Sequence, residues 1–281
     1  MAIFDRRRVP APEVSIPPIY EPLVGAVDQQ EAGPSRRDRT NDEARPIFLK
    51  TGLINQANGS GYIESGGVKI ACSVYGPRPK LPPYTPQGTL NLEVKFAPFA
   101  SDPRRAPLRD TEPIPLSVLL TQSLIPTLQL HLLPKSSIDV YLLVLESDTP
   151  TNVLSAGLTV ASAAIADAGI AMNGLGVGSV VASSSLSSSG SDLAKPSSAS
   201  LLLLDPSEDE EKASESKVLV GSMPALGRIT NLFFTGEAGI NEACDMIEKA
   251  ITSSRDTHTV LAQSLLEGAA ERGIGAETAT T

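Results

Sequence analysis

Basic side chains that could bind phosphate groups occupy two short stretches of the chain. Arg78 and Lys80 follow the strand-like run "VKIACSVYG", and Arg104 and Arg105 follow "FAPFA". Lys and Arg bind a nucleic-acid backbone without reading its sequence. The formal net charge of −9 argues against nucleic-acid binding driven by the charge of the whole protein. We therefore expect a local basic surface, with all four residues on one side of the domain if the two strand ends are adjacent.

Histidine and cysteine offer little further chemistry. The chain has two histidines, His131 and His258, and neither stands beside a candidate nucleophile in the sequence. Cys72 and Cys244 are far apart and have no His or Asp at metal-ligand spacing. The sequence therefore predicts no metal site, no cofactor and no histidine-based catalysis, and both cysteines are expected to be reduced thiols that pack as small apolar side chains.

The first ordered elements are predicted to be strands at about 47–55, 58–65 and 68–76. The last two are joined at Ser65-Gly66-Gly67, where glycine accepts a positive φ without steric cost. Gly59 and Gly61 inside a strand indicate a bulge or a close backbone approach. Pro77 and Pro79 have no amide proton to donate, so the third strand is expected to end at Gly76.

The rest of the chain alternates helices with strands. Strands are predicted at 90–96, 137–146 and 174–182, and then in "LLLLD", "SKVLVGSMPAL" and "RITNLFFTG". Helical spacing of leucines precedes Pro126, which is expected to kink that helix rather than end it. An Ala-rich buried helix should close at Gly169, and residues 237–272 should form one long or broken C-terminal helix. The order predicts an α+β fold with helices packed on mixed sheets.

Composition divides the chain into one domain and three accessory segments. Residues 1–44 have no hydrophobic period and are expected to be a disordered or partner-bound extension. Residues 45–275 form the predicted domain, with a serine-rich insertion at about 183–200, and residues 276–281 form a flexible tail. The chain has no apolar run long enough to cross a bilayer and no signal-like segment, so a soluble intracellular protein is expected.

Five motifs, in matching order and spacing, resemble the RNase PH family, and specifically the RNase PH-like subunits of the eukaryotic RNA exosome ring. The resemblance covers about residues 45–275 and implies the RNase PH-like fold, also described as ribosomal S5 domain 2-like. It implies that the loop after "YGPR" faces the pore of a six-membered ring, where basic side chains meet RNA. The motifs are "ANGSGYIESGGVKIACSVYGPRP", "FAPFASDPRRAP", "LLPKSSIDVYLLVLESD", "AIADAGIAM" and "LLLLDPSEDE".

The resemblance also locates the phosphorolytic site, and the residues there depart from the pattern. Active family members have Asp-Gly-Gly-Thr-Arg after the strand that ends in "VLE", where glycine amides and arginine hold phosphate. Here both glycines and the arginine are missing, and the arginine of the preceding helix aligns with Thr121. Leu203 replaces an upstream aspartate, and the acids that remain there are expected to lie in a solvated loop. The degenerate positions are Thr121, Asp148, Thr149, Pro150, Thr151, Asn152, Asp205 and Asp209.

The resemblance implies a non-catalytic subunit of the exosome core ring that helps form the channel for 3'–5' RNA processing and decay, including rRNA processing. The implied partners are other RNase PH-like ring subunits, cap subunits with RNA-binding domains, the exosome nuclease subunit and single-stranded RNA, with no membrane. The implied location is the nucleus and nucleolus and also the cytoplasm. Two alternatives stay open: an active phosphate-dependent 3'–5' exoribonuclease of the same fold, and an assembly or regulatory factor outside the exosome.

Overall fold

The computed structural model describes residues 39–100, 104, 113–184 and 201–272. The predictions for the N-terminal extension up to residue 38, for most of the serine-rich insertion and for the tail lie outside these residues. The described elements are β1 (Ile47–Thr51), β2 (Gly59–Ser65), β3 (Val68–Pro79), β4 (Thr89–Phe96), α1 (Ile114–Leu124), β5 (Ser136–Glu146), α2 (Pro150–Asp167), β6 (Val177–Ser184), β7 (Leu201–Leu204), α3 (Glu208–Ala213), β8 (Ser216–Met223), β9 (Arg228–Gly236) and α4 (Ile240–Glu271).

The strands form two sheets, which confirms the predicted α+β class. The N-terminal sheet has the order β1-β2-β3-β5-β4, in which β4 runs parallel to β5 and the other pairs are antiparallel. The C-terminal sheet has the order β7-β6-β8-β9 and is antiparallel throughout. In the described part of the chain, no helix is both long and apolar enough to span a membrane.

Helix α2 packs against strands of both sheets and supplies much of the core. Fourteen of its 18 residues are buried, because small side chains let two sheets approach one helix. A Cβ atom on Gly59 would lie 2.3 Å from the carbonyl oxygen of Ala164, and one on Gly178 would lie 2.5 Å from the Cα of Ser155. The predicted close approach at Gly59 is confirmed, and the helix is followed, as expected, by Gly169 with a positive φ.

Three predicted element ends are wrong: β1 ends at Thr51 and not at about residue 55, and the other two ends involve proline. Strand β3 continues to Pro79, because the register shifts between Tyr75 and Arg78 and leaves the amide-free Pro77 in an irregularity of the ladder. Helix α1 ends at Leu124 and a 3₁₀ turn follows, with Pro126 in its first turn. Proline fits there because the first amides of a helical turn have no intrahelical partner.

The chain already makes hydrogen bonds to the domain before Arg45, the residue at which the domain was predicted to begin. The backbone amide of Leu204, in β7, donates to the carbonyl oxygen of Asn41. The C-terminal helix contacts the N-terminal sheet, where the hydroxyl of Ser264 in α4 donates to the carbonyl oxygen of Leu49 in β1. Segment 39–45 and helix α4 therefore each cover one outer strand of a sheet.

Candidate functional site

The segment between β5 and α2 stands where active family members hold phosphate. Thr149 caps α2 by accepting a hydrogen bond from the amide of Asn152 at 3.3 Å. Pro150 occupies the first turn and has no amide proton. A helix N-terminus binds anions through its free amides and its dipole. Here one of those amides is used by the cap and another is absent, so fewer donors remain for phosphate.

A buried arginine joins two carboxylates at this position. The guanidinium of Arg45 is 2.7 Å from a carboxylate oxygen of Asp148, and its Nε is 3.5 Å from a carboxylate oxygen of Asp205. The backbone amide of Arg45 donates to the same Asp205 oxygen at 3.1 Å. Arg45 is only 8% exposed. We call Arg45, Asp148 and Asp205 the ion cluster.

The backbone around the ion cluster is fixed by further contacts. The carbonyl oxygen of Pro206 accepts from the guanidinium of Arg45 and from the side-chain amide of Asn152. Asp205 has a φ of +50, which is unusual for a residue with a side chain. Arg39 is 3.7 Å from a carboxylate oxygen of Asp205 and 3.7 Å from one of Glu210. The two aspartates are therefore held in place by cations of the protein itself.

The prediction of a solvated loop is wrong for Asp205, and for Asp209 it is right about the exposure to solvent but wrong about the loop. Asp205 is a partly buried member of the ion cluster, whereas Asp209 is exposed on the short helix α3. The hydroxyl of Thr151 donates to Glu211 at 3.0 Å, and the hydroxyl of Thr121 donates to the carbonyl oxygen of Ser117 in its own helix. These two threonines therefore use their hydroxyls for internal hydrogen bonds.

An open groove lies beside the ion cluster, and its lining is mostly apolar with two carboxylates, Asp148 and Glu208. Its other lining residues are Phe96, Phe99, Ala100, Pro113, Pro115, Leu116, Ser147 and Pro150. Across the described parts of the chain, no three His, Cys, Asp or Glu residues are arranged to hold a metal ion. The carboxylates of Asp148 and Glu208 carry the same sign of charge as a phosphate anion and therefore disfavour it in this groove.

Arg78 and Lys80 lie together at one end of the N-terminal sheet. Arg78 is exposed, and its guanidinium lies 5.0 Å from the ring centroid of Tyr75. The amide of Lys80 donates to the carbonyl oxygen of Lys135 at 2.9 Å. The ammonium of Lys135 lies 5.5 Å from the ring centroid of Tyr84. Lys135 was missed by the sequence analysis, because its place next to Lys80 follows from strand pairing and not from a local motif.

The sheet register shows that the end of β3 and the end of β4 are not adjacent, which the expectation of one shared basic surface had required. Arg78 pairs with Ser137 at the start of β5, whereas β4, the strand that leads to Arg104, ends at Phe96 opposite Val144. Ser137 and Val144 are about 23 Å apart at roughly 3.3 Å per residue. Arg104 is exposed, and Arg105 lies outside the described residues.

The end of β4 lies at the same end of the sheet as the ion cluster. The amide of Ser147 donates to the carbonyl oxygen of Ala100, only four residues before Arg104, and Ser147 directly precedes Asp148 of the ion cluster. The end of β4 and Ala100 therefore lie at the ion-cluster end of the sheet, and Arg78 and Lys80 lie at the opposite end. The RNA-binding role of the four residues stays a prediction.

Comparisons with known proteins agree with this geometry. Residues 43–171 match the RNase PH family, described as "3' exoribonuclease family, domain 1". The chain is 36% identical over 265 residues to the exosome complex component mtr3 of Schizosaccharomyces pombe, covering 93% of this chain and 96% of that protein. It is 34% identical over 232 residues to the exosome complex component Rrp41 of Pyrococcus furiosus, covering 82% of this chain and 86% of the relative.

A solved structure supports the fold independently. The crystal structure of rice (Oryza sativa) Rrp46 matches with a TM-score of 0.65 at 18% identity, over 81% of this chain and 98% of that chain. Among the ring members, "FAPFA…RRAP" and "VGSMPALGRITNLFFTGEAGI" resemble the mRNA-transport-regulator subunit. Relatives with the name MTR3 at 32–36% identity confirm that resemblance.

Proposed function

The chain belongs to the RNase PH family and is an RNase PH-like subunit of the RNA exosome ring, which takes part in 3'–5' RNA processing and decay, and from this premise we propose that its contribution is structural and not catalytic. The observation that carries the proposal is the ion cluster. Where phosphorolysis requires donors that hold phosphate, this chain has two aspartates that are already bound by Arg45.

Electrostatics explain why this arrangement disfavours phosphorolysis. The reaction brings inorganic phosphate close to a phosphodiester, so two anions need an excess of positive charge and free donors. At the ion cluster, one guanidinium is shared between two carboxylates, and Pro150 removes an amide of the helix N-terminus. An entering phosphate would face carboxylates and would have to break a buried ion pair to gain a cation.

The test is a phosphorolysis assay on the purified chain and on a ring reconstituted with it. Single-stranded RNA is incubated in phosphate buffer, and nucleoside diphosphate release is measured. We expect no phosphate-dependent release from the isolated chain. Robust release that is abolished by the double substitution Asp205→Ala and Asp209→Ala would overturn the structural role and establish the alternative, an active exoribonuclease of this fold.

We further propose that the subunit contacts different neighbours on its two sides in a heteromeric ring and also binds cap subunits and the exosome nuclease subunit. A closed ring of unlike subunits requires heterologous contacts. The proposed location is the nucleus and nucleolus, with a cytoplasmic pool. Native purification of the tagged chain followed by mass spectrometry tests the partners, and stoichiometric recovery with the other ring subunits is expected. Recovery without them would favour an assembly or regulatory factor outside the exosome.

The proposed RNA contact is tested separately at the two ends of the N-terminal sheet. One ring carries Arg78→Ala and Lys80→Ala, and a second carries Arg104→Ala and Arg105→Ala. RNA affinity is measured across a salt series, and each lost phosphate contact should reduce the log–log salt slope by roughly 0.7 for single-stranded RNA. Unchanged slopes in both intact rings would remove the RNA role of these residues, and failed assembly of the second ring would point to contact with a neighbouring subunit.

A further inference from the structure

A small cavity lies where helices α2 and α4 meet the two sheets. Its volume is about 40 Å³, counted as the space open to the centre of a water molecule. The lining includes Ile63 of β2, Ser155 of α2, Val180 of β6 and Ser253 of α4. One water molecule needs roughly 10–15 Å³ of such space. The cavity therefore has room for about three water molecules.

Two serine hydroxyls in the lining have no hydrogen-bond partner among the described residues. They belong to Ser155 on α2 and to Ser253 on α4, and Ser253 is only 9% exposed. The side-chain oxygen Oδ1 of Asn152, another lining residue, is buried and has no partner in the described part of the chain. Buried polar groups are almost always hydrogen-bonded, either to protein or to ordered water. These three groups therefore indicate a polar occupant.

Other hydroxyls of the lining have already donated their protons. Thr159 donates to the carbonyl oxygen of Ser155 at 3.0 Å, and Ser179 donates to the carbonyl oxygen of Ala250 at 2.9 Å. A hydroxyl has one proton to donate and two lone pairs that accept. The lining is therefore richer in acceptors than in donors, so an occupant has to donate hydrogen bonds.

The charge in the lining argues against an ion. The charged lining residue is Asp205, whose carboxylate repels an anion. The same carboxylate lies 3.5 Å from Nε of Arg45 and 3.7 Å from the guanidinium of Arg39, and these two groups repel a second cation. An apolar occupant would leave the hydroxyls of Ser155 and Ser253 without a hydrogen bond. Water is neutral, donates two hydrogen bonds and fits the volume.

We propose that the cavity is a structural water site, in which ordered water molecules bridge the hydroxyls of Ser155 and Ser253 and donate to Oδ1 of Asn152. Such water joins α2, the helix shared by both sheets, to α4, which packs on β1 and β6. A bridging water is nearly as favourable in enthalpy as a direct hydrogen bond. The site thereby adds polar contacts between two helices whose serine side chains do not bond to each other. The inference does not depend on the proposed function.

The direct test is a crystal structure of the full-length chain, or of the complex that contains it, at a resolution that shows ordered water. A second crystal is pressurised with xenon, and a third is soaked in rubidium chloride. We expect water density within hydrogen-bond distance of Ser155 and Ser253, with no xenon and no anomalous rubidium signal in the cavity.

The other outcomes of the crystal experiment overturn the proposal. Bound xenon would show a dry cavity, because xenon enters apolar cavities that hold no water. A rubidium signal would assign the site to a monovalent cation. A cavity without density in any of the crystals would also refute the water site.

Thermal unfolding of the full-length chain gives an independent readout. Ser155→Ala and Ser253→Ala are measured singly and together, and Thr252→Ala, at an exposed position of α4, is the control for the gain in helix propensity. Each single variant removes one partner of the bound water, so we expect its Tm to lie about 2–4 °C below that of the control. The double variant should lose less than the two single losses added, because the same water molecules are affected.

A dry cavity predicts the opposite change in Tm. Removing a buried hydroxyl that has no partner relieves a desolvation cost, so Ser253→Ala would then be more stable than the control. Alanine adds no volume at either position, so the variants test hydrogen bonding and not steric fit. An equal or higher Tm for Ser253→Ala than for Thr252→Ala, or single losses that add without coupling, would overturn the shared water site.

Discussion

Replacing Arg45 with methionine tests whether the ion cluster is a structural unit. Methionine keeps an unbranched apolar stem and removes the guanidinium, while the backbone hydrogen bond to Asp205 is retained. Removing one partner of a buried ion pair costs about 3–5 kcal/mol. Asp148 and Asp205 keep 12% and 20% of their side chains exposed, and Arg39 remains near Asp205. We therefore expect a smaller loss, about 2–3 kcal/mol, or a Tm decrease of about 5–10 °C.

The assay is urea unfolding followed by circular dichroism, organised as a double-mutant cycle with Asp148→Asn. Because the Asp148 carboxylate is 2.7 Å from the Arg45 guanidinium, the two substitutions should be coupled by at least about 1 kcal/mol. The control is Lys69→Met, which breaks an ion pair of the same 2.7 Å length with Glu146 whose side chains are 41% and 51% exposed. Exposed pairs contribute less than about 1 kcal/mol, so this control should change stability little.

Equal stability losses for Arg45→Met and Lys69→Met, without coupling to Asp148, would refute the reasoning. Such a result would mean that the Arg45 guanidinium is as free to leave its carboxylates as a surface lysine. The cation would then be available to an incoming phosphate, and the electrostatic argument against catalysis would lose its basis.

Three further predictions concern the fold and its ionisable groups. Gly59→Ala should lower stability by about 1–3 kcal/mol, because its Cβ would lie 2.3 Å from backbone atoms of α2. The control Gly174→Ala, whose Cβ would lie 3.5 Å from the nearest side-chain atom, should change stability little; urea unfolding measures both. A thiol reagent should modify Cys244 quickly and the chain's other, buried cysteine only on unfolding. A hydrogen bond to Glu64 raises the pKa of Tyr62 to about 12. The contribution of this hydrogen bond to folding stability is therefore complete below about pH 10 and is lost as the pH rises through about 12. A titration of phenolate absorbance, with Tyr62→Phe as control, measures this pKa.

Local patterns predicted most of the elements, because hydrophobic period and turn residues act over a few positions. The ion cluster could not be predicted in this way, since Arg45 and Asp205 are 160 positions apart and meet only after both sheets have formed. The end of β3 was misjudged because an irregularity in the ladder places Pro77 where no amide is needed. The position of the end of β4 depends on β4 running parallel to β5, and strand direction is not encoded in the alternation of one strand.

The separation of Arg78 from the ion cluster has a physical consequence for the proposed non-catalytic role. The start and the end of the β5 ladder are about 23 Å apart at roughly 3.3 Å per residue, which is well beyond the Debye length of about 8 Å at physiological salt. If RNA binds at Arg78 and Lys80 as proposed, the charges of these residues would act on it with little influence from the carboxylates of the ion cluster. Under the proposed function, a phosphate cradle that is lost at one end would not require a loss of RNA contact at the other, so a subunit without catalytic activity could still contribute a basic surface to the channel.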